Sequence, residues 1–311
     1  MKKVYIGIDV SKSTLEVDLL DGSTRTFAND KAGHRLLARA LSALGGKGAV
    51  AVYEPSGGYE RAMALSLSCS GVALCMASSS RVRQFARSQG IAAKTDALDA
   101  QVITRFAQAS RLEPKALSGS ALSAVRELLR RRESLVEMVK AETCRGSQQA
   151  QRVCLSQGKR MVALLKRQIA ELEKEIRRIV AEDADLANKV GRLESVKGIG
   201  WLTAATALAE LPDLGTMGPR QAAAMAGLAP FARDSGKSFG KRHVSGGNFH
   251  LRKALYMPAQ CAKTHNAHLR AFYLRLRENG KPFKVAITAV MRKMIVLMNR
   301  LLADPNFQPS L

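Results

Sequence analysis

The first thirty residues alternate between short apolar runs and turn residues. Residues 4–10 form a β-branched run, and residues 14–20 follow with apolar side chains at positions 15, 17 and 19. Asp21-Gly22 provides a turn before a third short run at residues 25–28. This spacing predicts three consecutive β-strands.

The pattern then changes to alternating helices and strands. Asn29-Asp30 can cap a helix whose leucines and alanines repeat at helical spacing until Gly45-Gly46. A fourth strand is predicted at residues 49–53, a helix from about Tyr59, and a further strand near residues 72–77. Another helix begins at Ser78–Ser80. This order of elements is that of the ribonuclease H-like fold, an argument by analogy.

Residues 120–190 contain helical patterns and no strand signal. Five apolar residues step by four and three along the second half: Leu165, Ile169, Leu172, Ile176 and Ile179. Gly146 and Gly158 bracket a polar break before this seam. We predict a coiled coil, formed either by antiparallel helices of one chain or between subunits.

The last third of the chain begins with the turn sequence SVKGIG, followed by the helix-forming WLTAATALAEL. A Gly-x-Gly turn before a helix N-terminus can bind phosphate, as in helix-hairpin-helix elements, but a tight interhelical turn explains it equally well. From Leu251 onward two or three basic helices are predicted, with Pro282 between them.

The charge balance indicates a polyanionic partner. The chain of 311 residues has 49 Lys and Arg against 26 Asp and Glu, a formal net charge of +23. Between Arg233 and Arg300 there are 15 basic residues, offset only by Asp234 and Glu278. Such a segment attracts phosphates, although a solvated basic face would give the same count.

Composition excludes several other classes. No apolar stretch approaches the length that spans a membrane, and the N-terminal residues show no signal-peptide cleavage site, so we expect a cytosolic protein. The five cysteines are scattered and contain no C-x-x-C pair, which indicates neither a disulfide framework nor a zinc site.

Four carboxylates stand at positions that suggest chemistry. Asp9 interrupts an apolar strand, where an unpaired carboxylate would be costly. Glu54 ends another apolar strand, just before a glycine-rich turn. Asp96 and Asp99 are three residues apart on a predicted helix and share a face.

Carboxylates that converge need cations between them, and hard oxygen ligands suit Mg²⁺ or Mn²⁺. Two such ions about 4 Å apart could activate a nucleophile and stabilise a leaving oxygen of a phosphodiester. Singly, each residue has an ordinary explanation: a turn at Asp9, a surface position at Glu54, a helix cap at Asp96. The four together favour a metal site.

A second group of candidate residues lies in the basic segment. Ser235, Ser238 and Ser245 stand in a cationic loop, and the chemistry of the loop does not choose among them. Neighbouring cations could stabilise charge on a phosphate or simply grip it. The predicted nucleic-acid contacts are Arg233, Lys237, Lys241, Arg242, Arg252 and Lys253.

These motifs together resemble a known family, the DEDD-type transposases of bacterial insertion-sequence family 110. The N-terminal marks are Ile8-Asp9-Val10, Glu54-Pro55-Ser56-Gly57 and Lys94-x-Asp96-x-x-Asp99. The C-terminal marks are Gly-Ile-Gly, Gly-Leu-Ala-Pro, Ser235-Gly236 and Leu-Arg-Lys-Ala-Leu-Tyr-Met. Ser56 stands where threonine is frequent, which should not disturb metal binding.

The resemblance implies an α/β plus α architecture in three parts. These are a RuvC-like (ribonuclease H-like) domain at residues 1–115, a helical coiled coil at 116–190, and a mainly helical transposase domain at 191–311. Asp9, Glu54, Asp96 and Asp99 would bind Mg²⁺, and Ser235 would attack DNA and become linked to it.

The resemblance also implies partners. Family members bind a structured non-coding RNA, the bridge RNA, which pairs with target and donor DNA, and they act as RNA-guided recombinases. They assemble as homo-oligomers, dimers or tetramers, with composite active sites. We expect the chain to act in the bacterial cytoplasm, on nucleoid DNA.

Two alternatives remain at this point. A RuvC-like metal-dependent endonuclease or Holliday-junction resolvase would use the same carboxylates to activate water, with Ser235 only gripping phosphate. A packaging or regulatory protein would use the coiled coil and basic helices without catalysis, and would need none of the carboxylates.

Overall fold

The computed structural model describes residues 3–91, 96–117, 119–231, 240 and 242–308, and it describes no side chain for residues 96 and 97. The chain divides into two compact units, Met1–Leu117 and Ser118–Leu311. No helix within the described ranges is both long and apolar enough to cross a membrane.

The first unit is a mixed sheet with helices on both faces. Its strands are β1 (Val4–Val10), β2 (Thr14–Asp18), β3 (Thr24–Ala28), β4 (Ala49–Tyr53) and β5 (Ala73–Met76). Its helices are α1 (Lys31–Gly45), the 3₁₀ turn η1 (Gly46–Gly48), α2 (Glu60–Cys69), α3 (Ser79–Ser88) and α4 (Asp96–Ser110). The strand order is β3-β2-β1-β4-β5, with β1, β4 and β5 parallel and the β1–β2 and β2–β3 pairs antiparallel.

The strands predicted from the hydrophobic pattern are confirmed, with small differences at their ends. Strand β2 stops at Asp18 rather than at Leu20, because Leu20 has a φ of 68°. The Asp18 side chain accepts a hydrogen bond of 3.0 Å from the Leu20 N–H and so closes this turn.

Alternation along the strands separates two cores. Ile6 and Ile8 of β1 are fully buried against α1 and α2. Tyr5 of β1 and Val52 of β4 point to the opposite face and pack with α3 and α4. The sheet is therefore the middle layer of an α/β/α arrangement, and α4 covers the face that carries the odd-numbered residues of β1.

Within its described residues, the second unit is helical apart from one small hairpin. The helices are α5 (Ser120–Gly146), α6 (Arg152–Glu182), α7 (Ala184–Glu194), α8 (Trp201–Glu210), α9 (Pro219–Met225), α10 (Phe249–His265), α11 (Ala267–Glu278) and α12 (Phe283–Ala303). Strands β6 (Pro230–Phe231) and β7 (His243–Val244) pair antiparallel.

Helices α5 and α6 form an antiparallel hairpin within the chain. Arg132 of α5 donates to Glu173 of α6 at 2.7 Å, and Gly158 of α6 lies beside Glu142 of α5. The predicted break is shorter than expected, since Gly146 ends α5 but Gly158 lies inside α6. Leu165 and Ile176, two residues of the predicted apolar seam of α6, are buried.

The Gly-Ile-Gly sequence forms the turn between α7 and α8. A Cβ atom on Gly198 would lie 2.6 Å from Cβ of Ala262 in α10, so this turn packs directly on α10. Gly200 is the N-cap of α8. The observed packing accounts for the glycine at 198, and phosphate binding by this turn stays a prediction.

Candidate active site

Asp9 and Glu54 lie at the same end of two neighbouring strands. Strands β1 and β4 are parallel, with Ile8 opposite Tyr53. Asp9 follows Ile8 and Glu54 follows Tyr53, so the two carboxylates are neighbours at this end of the strands. Asp9 belongs to the face of Tyr5 and Gly7, and Glu54 continues the alternation of Val50 and Val52. Both carboxylates are partly exposed and stand on the face covered by α4.

Helix α4 brings Asp99 to the same end of the sheet. Tyr5 Oη donates to the Leu112 carbonyl at 2.7 Å, just beyond the end of α4, whereas Gly7 N–H donates to Thr104 Oγ1 at 2.8 Å. The helix therefore runs antiparallel to β1, and its first turns reach the level of Asp9. Asp99 is partly buried there. Asp96 opens α4, and its side chain lies outside the described residues.

A buried contact fixes α4 on the strand. A Cβ atom on Gly7 would lie 2.1 Å from the Ala100 carbonyl oxygen and 2.8 Å from the Thr104 nitrogen. Only glycine allows this approach, because such distances are far inside van der Waals contact. The spacing of Asp99 from the strand end is thus set by Gly7.

The turn after Glu54 is organised by Glu60. Its Oε2 accepts hydrogen bonds from the Ser56 N–H (3.0 Å), the Ser56 hydroxyl (2.8 Å) and the Gly58 N–H (2.9 Å). Burial raises the pKa of Glu60, but these hydrogen bonds outweigh burial and leave the pKa below its usual value. Glu60 is therefore ionised and holds the turn that follows Glu54.

Tyr53 precedes Glu54 and is almost fully buried. Burial, with a smaller contribution from the charge of Glu60, raises the pKa of Tyr53 to about 12. The phenol is neutral at physiological pH, so this residue packs the sheet and does not act as a base.

Glu16 is a further carboxylate on the same face, which the sequence analysis missed. It lies directly opposite Asp9 in the β1–β2 pair. Thr24 and Thr26 of β3 donate hydrogen bonds to its two carboxylate oxygens, the Thr26 bond measuring 2.6 Å. The alternation Thr-Leu-Glu-Val-Asp could have indicated this position, but only once the register of β1 and β2 was known.

The donor set is suited to a hard divalent cation. Asp9, Glu54 and Asp99 provide carboxylate oxygens at one edge of the sheet, and Asp96 starts the helix that carries Asp99. Among the side chains that the structure describes, no three His, Cys, Asp or Glu residues are close enough together to hold a metal ion. To bind a metal ion, the site would therefore need Asp96 as a further ligand, or the three described carboxylates would have to move closer together.

Most of the second group of predicted residues stands in the sequence between strands β6 and β7 or just after β7. Arg233, Ser235, Lys237, Ser238 and Lys241 lie outside the described residues. Arg242 and Ser245 are described and exposed. Phe231 pairs with His243, so residues 232–242 connect the two strands.

Arg252 and Lys253 make contacts within the second unit. Nη1 of Arg252 donates to the Gly227 carbonyl (3.1 Å) and the Gly246 carbonyl (2.9 Å). Nζ of Lys253 bonds to Glu133 (2.8 Å) and Glu137 (2.7 Å) of α5. Both cations were predicted to contact nucleic acid, and both have structural partners.

Comparison with protein families matches both units to transposases. Residues 6–155 match a transposase family named for its DEDD residues and for IS110, and residues 190–274 match the family described as "Transposase IS116/IS110/IS902 family". Segments of both units are thus similar to transposases of the IS110/IS116 type. The first of these segments contains the carboxylates, and its match supports the expected RuvC-like fold.

Two curated relatives have names that refer to gene inversion or to an insertion element. The "Pilin gene-inverting protein" of Moraxella bovis is 27% identical over 310 residues, covering 96% of this chain and 95% of the relative. A protein of insertion element IS110 from Streptomyces coelicolor is 35% identical over 121 residues, 38% of this chain and 30% of the relative.

Proposed function

We propose that this chain belongs to the IS110-type transposases and is a metal-dependent DNA recombinase that cuts and rejoins strands through Ser235. The observation that carries the proposal is the arrangement of Asp9, Glu54 and Asp99 at one edge of the sheet, within a transposase domain. We place the reaction on DNA in the bacterial cytoplasm.

The carboxylates are the metal-binding half of this proposal. Asp9, Glu54, Asp96 and Asp99 would hold Mg²⁺ or Mn²⁺, which supplies Lewis-acid stabilisation of the phosphoryl oxygens when bound. Gly7 and Thr104 fix the helix that carries Asp99, and Glu60 fixes the turn after Glu54. These contacts hold the ligands in place before DNA binds.

The serine supplies the nucleophile. Ser235 Oγ attacks the phosphorus of a DNA phosphodiester and loses its proton, a Ser–O–P bond forms, and one P–O bond to a deoxyribose breaks. The displaced sugar oxygen takes up a proton and becomes a hydroxyl. Attack of a deoxyribose hydroxyl from the partner strand on the same phosphorus then releases Ser235 and rejoins the DNA.

The pilin gene-inverting protein of Moraxella bovis, which matches almost the whole chain, supports strand exchange rather than cutting alone. That protein is named for inverting a gene, a process that requires rejoining. A guide RNA and a homo-oligomer complete the proposal. Both rest on the resemblance of the motifs, and the net charge of +23 is suited to a second nucleic acid.

The test is a search for the covalent intermediate. The full chain is incubated with Mg²⁺, a plasmid carrying the sequences that flank its gene, and RNA transcribed from the adjoining non-coding segment. Denaturation, nuclease digestion and peptide mass spectrometry should find a nucleotide phosphate on Ser235. Matched variants are Ser235→Ala, Ser238→Ala and Ser245→Ala, and only the first should abolish the adduct.

Cleavage without any adduct, or full cleavage by Ser235→Ala, would contradict the serine mechanism. It would favour the RuvC-like endonuclease or junction resolvase, in which the carboxylates activate water. Full activity in Asp9→Asn and Asp99→Asn together would contradict both enzymes and leave a non-catalytic DNA-binding protein.

A further inference from the structure

The hairpin that carries Ser235 is joined to the rest of the second unit at a narrow point. A Cβ atom on Gly247 would lie 2.2 Å from the Gly227 nitrogen, so the chain segments before β6 and after β7 touch through their backbones. The N–H of Asn248 donates to the Met225 carbonyl at 2.7 Å. Arg252 bridges the carbonyls of Gly227 and Gly246.

The side-chain amide of Asn248 both accepts and donates hydrogen bonds at the base of the hairpin. Its Oδ1 accepts from the Leu251 N–H at 3.0 Å and caps α10, which assigns the amide nitrogen to the other side. That nitrogen donates to Glu210 Oε2 at 2.7 Å and to the Glu210 carbonyl oxygen at 3.3 Å. The amide can therefore adopt only one orientation while Glu210 is in place.

Glu210 is the buried member of this network. Its side chain is 3% exposed and pairs with Arg130 Nη2 of α5 at 2.8 Å. Arg126, one turn earlier on α5, donates through Nε to the neighbouring Ala209 carbonyl at 2.6 Å. An N-cap alone would need only Asn248 and Leu251, so a buried carboxylate 38 residues away adds a constraint that capping does not require.

An ion pair that buries its carboxylate adds little net stability, because the cost of removing that charge from water offsets the attraction to its partner. The best-attested contribution of such pairs is to select one arrangement among several. The side chain that Glu210 contacts at the base of the hairpin is Asn248.

We propose that Glu210 is a positioning residue for strand cleavage, which acts by fixing Asn248 and thereby the hairpin that carries Ser235. The proposal rests on the function proposed above, since it needs Ser235 to be the nucleophile. Glu210 itself would touch neither DNA nor metal.

The experiment compares Glu210→Gln with Glu173→Gln in the full chain. Glu173 is the carboxylate of another interhelical ion pair of the same unit, with Arg132, away from the hairpin. Single-turnover cleavage with saturating DNA, DNA affinity and thermal unfolding are measured for both. We expect Glu210→Gln to slow cleavage by about 10–100-fold with affinity changed by less than about twofold, because small displacements of a nucleophile have effects of that size. Glu173→Gln should retain the wild-type rate.

The exchange rates of backbone amide hydrogens provide a second measurement, which does not depend on activity. The Leu251 and Asn248 amides should exchange faster in Glu210→Gln than in Glu173→Gln. Arg130→Lys retains the charge but loses the planar guanidinium, and we expect its cleavage rate to lie between those of wild type and Glu210→Gln. If Glu210→Gln does not fold, Arg130→Lys decides: a wild-type rate in that variant would overturn the proposal.

Ser235→Ala in the same assay separates this inference from the function on which it rests. A Ser235→Ala protein that cleaves normally overturns both. An inactive Ser235→Ala protein beside a Glu210→Gln protein with wild-type rate and exchange overturns only the role of Glu210.

Discussion

The backbone N–H of Gly7 donates a 2.8 Å hydrogen bond to the side chain of Thr104, which is itself buried. This bond joins the middle of β1 to the middle of α4. Because Asp9 lies two residues beyond Gly7 and Asp99 lies on the first turn of α4, the same contact sets the spacing of both carboxylates. The candidate metal site therefore depends on residues outside the predicted ligand set.

Replacement of Gly7 by alanine should be strongly destabilising. The added methyl would meet the Ala100 carbonyl at 2.1 Å, so α4 must move away from β1. We expect a loss of about 3 kcal/mol in the free energy of unfolding, the upper part of the range for overpacked cores. Denaturant unfolding followed by circular dichroism measures this. Gly191→Ala is the control, since a Cβ atom there meets nothing within 4 Å and alanine favours the helix.

Thr104→Val should separate the hydrogen bond from the packing. Valine has nearly the same shape but leaves the Gly7 N–H without its acceptor, at a cost of about 1–3 kcal/mol. Thr104→Ser retains the hydroxyl and should preserve the bond. Amide exchange at Gly7 should be fast in the valine variant and slow in the serine variant. Equal exchange in both would show that the hydroxyl does not protect this amide.

The sequence was sufficient to predict the strands of the first unit and the residues at their ends. Asp9 stands out as a carboxylate inside an apolar run and Glu54 as a carboxylate at the end of one, and both signals are local. The role of Gly7 and the position of Glu16 were not predicted, because each depends on which segment packs opposite it. The structural partners of Arg252 and Lys253 were not predicted for the same reason. The sequence shows that both residues are cations, but only the fold shows that Arg252 contacts the Gly227 and Gly246 carbonyls and that Lys253 pairs with Glu133 and Glu137.

Glu60→Gln should reveal a pH-dependent contribution to stability. The pKa of Glu60 is lowered in the folded chain, so its stabilising effect is present above the unfolded pKa of about 4.3 and is lost as pH falls through the folded value. At neutral pH the variant should be about 1 kcal/mol less stable than wild type. Chemical unfolding near pH 7 and below pH 4 should show this difference shrinking with acidity. A difference that grows at low pH would contradict the assignment.

Mg²⁺ should stabilise the chain only when the predicted carboxylates are intact. At a concentration roughly tenfold above the Kd, a bound ion adds about 1.4 kcal/mol to the free energy of unfolding, which raises the Tm. Asp9→Asn and Asp99→Asn should abolish this increase. Glu16→Gln is the matched control, because its carboxylate is on the same face but accepts from Thr24 and Thr26. An increase in Tm retained by both aspartate variants would place the ion elsewhere.

Arg242 and Lys253 should differ in their effect on DNA binding, although both are exposed cations of the basic segment. Lys253 is neutralised by Glu133 and Glu137, and its pKa is raised chiefly by its hydrogen bonds to them. We therefore expect Lys253→Ala to leave the salt dependence of DNA affinity unchanged. Arg242→Ala should reduce the slope of log K against log salt by about 0.9, the effect of losing one phosphate contact. Fluorescence anisotropy from about 50 to about 200 mM salt measures both slopes. If Lys253→Ala flattens the slope and Arg242→Ala does not, the ion pairs of Lys253 open when DNA binds.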